Sequence, residues 1–161
     1  MTTAKCVLLA AGLFVATSAV ADPAPIVFVV RHAEKAPTGG NDPELSEAGL
    51  KRAQALDQML KDAAITAIFT TEVKRTQQTA APLAQTTQLT PIAIPGKEIA
   101  GLVEKLRGLK GNALVVGHSN TIPQLVKALG IETPVRIPDD DYTELFVITM
   151  GDQPQLLRLH Y

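Results

Sequence analysis

The stretch that decides the fold is Ile26-Val27-Phe28-Val29-Val30-Arg31-His32-Ala33. Five successive β-branched or aromatic residues read as a strand buried on both faces. Arg31 and His32 at its C-terminal end set a fixed cation beside an imidazole, where open α/β sheets hold their ligands. Working outward, the arrangement returns twice. Ile68-Phe69-Thr70-Thr71 leads to Arg75, and Leu114-Val115-Val116-Gly117 leads to His118. Two arginines and two histidines near strand ends outline a pocket for a phosphate dianion, with an imidazole placed to attack it.

Helix signals separate these strands. After a loop over residues 35–43, rich in Gly, Pro and Asn, Ser46 offers an N-cap and Glu47 favours the helix dipole. Leu45, Ala53, Leu56, Met59 and Leu60 make one apolar face, predicting a helix to about residue 64. A strand over 67–70 and a helix over 73–84 follow, with Pro82 expected to end or bend that helix early. Next come a short strand over 91–94 and a helix over 98–109 with Ile99, Leu102, Val103 and Leu106 inward. A buried strand over 113–117 leads to a helix over 121–129 with Pro123 in its first turn. Strands over 145–150 and 155–160 read as a hairpin closed by Gly151-Asp152. The expectation is a single α/β domain: a mostly parallel sheet, helices on both faces, and a C-terminal antiparallel hairpin.

The N-terminus has a different character. Lys5, an apolar run over residues 6–16 and Ala19-Val20-Ala21 have the form of a secretory signal, too short to be a comfortable membrane span. Residues 1–21 are therefore expected to be a signal peptide and 22–161 the domain. The protein would be exported, periplasmic or secreted, with no stable membrane anchor after cleavage. Cys6 is the sole cysteine. It would leave with the signal, taking with it any disulfide, thiolate nucleophile or Cys-ligated metal. The chain carries 15 basic and 16 acidic residues. This balance argues against a nucleic-acid partner, for which a broad basic face is expected. With no Trp and 4% aromatics, a stacking platform for sugars or bases has little support.

A phosphomonoester repels nucleophiles until cations spread its charge. The arginine fork does this bidentately and stays protonated. A neutral imidazole can then attack phosphorus to give a covalent intermediate that water clears, and a second histidine can add a donor to the phosphoryl oxygens. Arg31, His32, Arg75 and His118 supply those parts.

Four segments resemble the histidine phosphatase superfamily, in its phosphoglycerate-mutase-like branch. Arg31-His32-Ala33-Glu34 is similar to its R-H-G-E/Q signature. Asp42-Pro43-Glu44-Leu45-Ser46-Glu47-Ala48-Gly49 resembles its D-x-P-L-[ST]-x-x-G stretch with one residue more. Thr71-Glu72-Val73-Lys74-Arg75-Thr76-Gln77-Gln78-Thr79-Ala80 resembles S-x-x-x-R-[AT]-x-x-T-A, and Val115-Val116-Gly117-His118-Ser119 resembles V-V-x-H-[GS]. The resemblance implies a metal-independent phosphatase with no cofactor, His32 as the phosphorylated nucleophile, and Arg31, Arg75 and His118 as the phosphate pocket. It also implies a carboxylic acid for the leaving alkoxide. Glu98 matches that position by its spacing from Arg75, with Glu34, Glu72 and Asp141 as alternatives. Ala33 stands where the family has Gly, which requires a backbone conformation open to alanine. Thr38 stands where an Asn is often found. The insertion that builds a substrate lid is nearly absent, implying an open site for bulky or protein-borne phosphates and disfavouring mutase chemistry. Substrates would be phosphorylated small molecules, lipids or proteins.

Three rival motifs are weaker. Gly117-His118-Ser119-Asn120-Thr121 resembles a serine hydrolase elbow, with Asp139 to Asp141 and His160 following in order, but Thr121 stands where the tight turn needs Gly. Asp139-Asp140-Asp141-Tyr142-Thr143 has the letters of an aspartyl-phosphate motif, yet it precedes a strand rather than following one, and reads as an acidic turn. His32, Glu34 and His118 could ligate a metal, but the adjacent arginines would repel it. A pocket that binds phosphate without turnover is the remaining alternative from another functional class.

Overall fold

The computed structural model describes residues 23–161; the expected signal peptide and its cleavage site lie outside them. The elements run β1 (Ile26–Arg31), α1 (Glu47–Leu60), β2 (Ile65–Thr70), α2 (Lys74–Thr87), β3 (Ile92–Ala93), α3 (Ile99–Arg107), β4 (Asn112–Gly117), α4 (Ile122–Ala128), β5 (Glu144–Thr149) and β6 (Gln155–His160). They build one six-stranded sheet in the order β3-β2-β4-β1-β5-β6. β1, β2, β3 and β4 are parallel neighbours, and β5 and β6 add an antiparallel pair at one edge.

The period-two pattern of the central strands divides the core in two. Val27, Val29, Ala113, Val115, Phe146 and Ile148 face α3 and α4, where Leu102, Leu106, Ile122 and Leu125 meet them. Val30, Leu114, Val116 and Leu145 face the other way, onto Leu56 and Leu60 of α1 and Ala80 and Leu83 of α2. The near-continuous apolar runs of β1 and β4 follow from this double coverage.

Local chemistry accounts for the first helix. The Ser46 hydroxyl accepts from the Gly49 N–H at 3.1 Å, the N-cap bond its position predicts. Gly49 is required by a close approach: a Cβ there would lie 2.2 Å from the Glu34 carbonyl oxygen. The first turn of α1 thus packs directly on the segment that carries His32.

Boundaries differ from the sequence reading at several points, four of which bear on the packing. α1 ends at Leu60, short of residue 64, because Ala64 takes a left-handed φ of 49° and β2 starts at once. α2 continues through Pro82 to Thr87. A mid-helix proline costs about 3 kcal/mol, but burying the single side chain of Leu83 returns roughly 1.5–3 kcal/mol. Ala80 and Ala84 add to that in the same cluster, so packing overrides the local penalty. β3 shrinks to two residues. The β5–β6 connection spans residues 150–154, wider than a two-residue turn.

Candidate active site

Topology brings the predicted residues together. In the parallel β1–β4 pair Arg31 lies opposite Gly117, so His32 and His118 each stand one residue beyond the paired ends. The His32 N–H donates to the Gly117 carbonyl at 2.9 Å. The two imidazoles meet edge to face, with centroids 5.3 Å apart and planes at 64°.

His32 is 5% exposed. Its Nδ1 lies 2.8 Å from the Ala33 carbonyl. A carbonyl only accepts, so Nδ1 carries the hydrogen and the neutral ring keeps its lone pair on Nε2. Burial pulls its pKa down to about 4, outweighing the favourable bond to Ala33, and the charges of His118, Arg75 and Arg31 push the same way. Ala33 is buried and its backbone is not left-handed, the condition that alanine at this position required.

His118 is placed by a chain of hydroxyls. Its Nε2 is 3.0 Å from Thr71 Oγ1, which is 3.0 Å from Thr76 Oγ1, and Thr76 donates into its own helix turn at the Val73 carbonyl, 2.9 Å away. Burial is the main cause that brings His118 to about pKa 4, with Arg75 next, Glu72 opposing and Arg31 adding a little.

Arg31 is 8% exposed and held from behind. Its Nη1 donates to the carbonyls of Pro138, Asp139 and Asp141 at 2.9, 2.9 and 3.0 Å, and the guanidinium lies 4.2 Å from the Tyr142 ring centroid. Its Nε is buried with no acceptor among the described residues. Arg75 leaves the first turn of α2. Asp42 organises that turn: its Oδ1 accepts from the Lys74 N–H at 2.9 Å and lies 4.0 Å from Arg75 Nη1. Thr79 ties the two halves together, accepting from the Ala33 N–H at 2.9 Å and donating to the Arg75 carbonyl at 2.7 Å.

Arg31, His32, Arg75 and His118 line a cleft of about 740 Å³ with Lys35, Glu72, Lys97, Ser119, Asp139 and Tyr142 among its walls. The four carboxylates considered from sequence separate clearly. Glu98 is exposed at the start of α3 and borders a different, small cavity of about 30 Å³ rather than the cleft. Its spacing from Arg75 matched, but its carboxylate lies against the first turn of α3, with Oε2 3.9 Å from where a Cβ on Gly101 would stand. Glu34 is bound by Arg52, with Oε1 2.7 Å from Nη2. Burial raises its pKa, but the Arg52 hydrogen bonds and charge outweigh this and hold the carboxyl below the usual range. Asp141 is also held low, accepting from the backbone and hydroxyl of Thr143. Glu72 is the one of the four on the cleft wall.

The rival constellations are not assembled. Ser119 reaches Asp139 at 3.3 Å, but His160 bonds Thr143 and is not among the cleft residues. The acidic turn serves Arg31 through its backbone carbonyls. Sequence reasoning missed Tyr142, Thr71, Thr79 and the role of Asp42. Asp42, Thr71 and Thr79 stood inside the motifs and were open to notice, whereas Tyr142 carried no signal.

Residues 27–104 match the family model described as histidine phosphatase superfamily (branch 1). The solved structure of the protein histidine phosphatase SixA complexed with tungstate aligns with a TM-score of 0.71 at 19% identity, covering 84% of this chain and 96% of that one. The alpha-ribazole phosphatase from Shigella flexneri gives 0.69 at 17% identity, covering 84% and 96%. A phosphoglycerate mutase from Bacillus anthracis str. Sterne gives 0.66 at 14% identity, covering 86% and 94%. At these identities the likeness is one of fold. No curated protein matches the sequence significantly.

Proposed function

From its membership of the histidine phosphatase superfamily, branch 1, carried by residues 27–104, we propose that this protein is a metal-independent phosphomonoesterase working through phosphohistidine on His32. The carrying observation is the state of His32: its Nδ1 hydrogen is committed to Ala33, and burial keeps the ring neutral with its Nε2 lone pair available. Nε2 attacks phosphorus while the phosphoryl charge is spread over Arg31, Arg75 and His118. The phosphorus–oxygen bond to the alcohol breaks, and water then displaces His32 to release phosphate. A bound dianion offsets the two arginines and favours a protonated His118, which can then donate to a phosphoryl oxygen.

Two finer parts of the reading rest on sequence and on the wide cleft. The leader-like N-terminus supports export, which would set the substrate among phosphorylated small molecules, lipids or proteins outside the cytoplasm. The short connection between Arg75 and His118 supports hydrolysis over mutase chemistry.

The test is hydrolysis of p-nitrophenyl phosphate with EDTA present, by the wild type, His32→Ala and Ser119→Ala. The expected result is activity that survives EDTA and Ser119→Ala and vanishes in His32→Ala. Turnover retained by His32→Ala refutes the reading. Cleavage of an acyl ester dependent on Ser119, without phosphate release, would establish a serine hydrolase instead.

A further inference from the structure

We propose that Glu72 is the proton donor to the leaving group, and that it makes phosphate monoesters of unactivated alcohols the substrate class of this site. The inference rests on the phosphohistidine reading above and concerns the group that protonates the departing oxygen.

A neutral His32 that attacks phosphorus leaves the departing oxygen needing a proton from elsewhere. Arg31 and Arg75 hold theirs too tightly to give one up. Glu34 is committed to Arg52, and Asp141 to Thr143. Asp139, the other carboxylate on the cleft wall, binds the Ser119 hydroxyl through Oδ1, and Asp139→Asn is therefore compared with Glu72→Gln in the experiment below. Glu98 borders the other cavity.

Glu72 lies on the cleft wall, beside the second histidine. Its Oε2 accepts from the Gly96 N–H at 3.2 Å, and Oε1 has no hydrogen-bond partner among the described residues. Gly96 marks how close this is: a Cβ on Gly96 would stand 3.7 Å from Thr71 Cγ2 and 4.0 Å from the His118 ring. The carboxyl is therefore anchored by one oxygen to a backbone that borders His118, with the other oxygen free. The β2–α2 turn that supplies Thr71 and Arg75 also supplies this group, so it is positioned by the same element that grips the phosphoryl oxygens.

The step balances without a further reactant. The His32 Nε2 lone pair forms the bond to phosphorus, the phosphorus–oxygen bond breaks onto the ester oxygen, and the Glu72 carboxyl passes its proton to that oxygen. The alcohol departs and Glu72 is left as a carboxylate. In the second half the carboxylate takes a proton from the attacking water, which restores the acid. An alkoxide needs that proton far more than a nitrophenolate does. Glu72 is thus worth most on alkyl phosphates and least on activated aryl esters.

The experiment compares kcat/KM, which reports phosphoryl transfer to His32, for p-nitrophenyl, phenyl and glycerol phosphates in order of rising leaving-group basicity. The variants are Glu72→Gln, which keeps an acceptor for Gly96, with Asp139→Asn, Glu98→Gln and His32→Ala beside it. The expected result for Glu72→Gln is a loss under about tenfold on p-nitrophenyl phosphate growing to about 10²–10⁴-fold on glycerol phosphate. Retained p-nitrophenyl phosphatase activity shows at the same time that the variant folds. An equal loss on all three esters overturns the proposal, since it would mean that Glu72 acts by supporting the His118 charge or the fold. No loss on any, or the graded loss in Asp139→Asn or Glu98→Gln instead, overturns it too. Activity persisting in His32→Ala would sink the phosphohistidine reading itself, a separate failure.

Discussion

Lowering the pH from 7 to 5 should destabilise this protein through two imidazoles, and replacing them should remove that part of the loss. Both His32 and His118 fall from 6.5 to about 4 in the folded chain. A depressed histidine pKa means the unfolded chain binds the proton more readily. The neutral-ring stability is therefore complete above about pH 6.5 and is lost as pH falls toward 4. For one ring the difference at pH 5 is about 2 kcal/mol if the site is treated as dry. The cleft is open to water, which screens the arginines, so about 1 kcal/mol per ring is the better figure. The rings repel each other when charged, so the pair is treated as one site worth about 2 kcal/mol in total. That corresponds to a melting point roughly 5–8 °C lower for a domain of this size. The assay is thermal and urea unfolding at pH 7 and 5 for the wild type and for His32→Asn/His118→Asn. Asn is chosen because its amide can keep the donor to the Ala33 carbonyl. Carboxylates such as Glu34 and Asp141 titrate in both proteins, so the difference isolates the imidazoles. Equal losses in the two proteins, or imidazole signals titrating near pH 6.5 by NMR, would refute the reasoning.

Two further outcomes follow from the packing around His32. Gly49→Ala should cost about 1–3 kcal/mol and lower kcat/KM, because its methyl would press on the Glu34 carbonyl two residues beyond His32; unchanged melting and turnover would show that α1 can move away freely. Thr79→Val keeps the side-chain shape but leaves the buried Ala33 N–H without its acceptor, for about 1–3 kcal/mol. It should reduce turnover on every ester alike, since it loosens His32 and Arg75 together. A loss that varied with the leaving group would contradict this role.

Much of the fold was legible because apolar runs and caps are local signals. The buried strands β1 and β4, the Ser46 cap and the C-terminal pair of strands all stand where their residues predict. The sequence reading failed where distant packing outweighs a local rule. Pro82 reads as a helix end, yet α2 passes through it because Leu83 and Ala84 are buried against α1 and the sheet. The carboxylates show the same limit at the site. Glu98 was chosen by spacing along the chain, but the cleft is a matter of which loops converge in space, and there Glu72 lies beside His118 while Glu98 does not.

By itself the sequence determined which residues could do the chemistry. Arg31-His32 and His118 are identifiable at strand ends, and Arg75 on the helix that follows one, because buried strands have an unmistakable composition that fixes where they end. Tertiary structure alone decided how those groups behave. The tautomer of His32 depends on a carbonyl, the low pKa values on burial beside two arginines, and the grip on Arg31 on carbonyls more than a hundred residues away. Electrostatics and hydrogen bonds act over ångströms of space, whatever the separation along the chain, and only the folded sheet sets those distances.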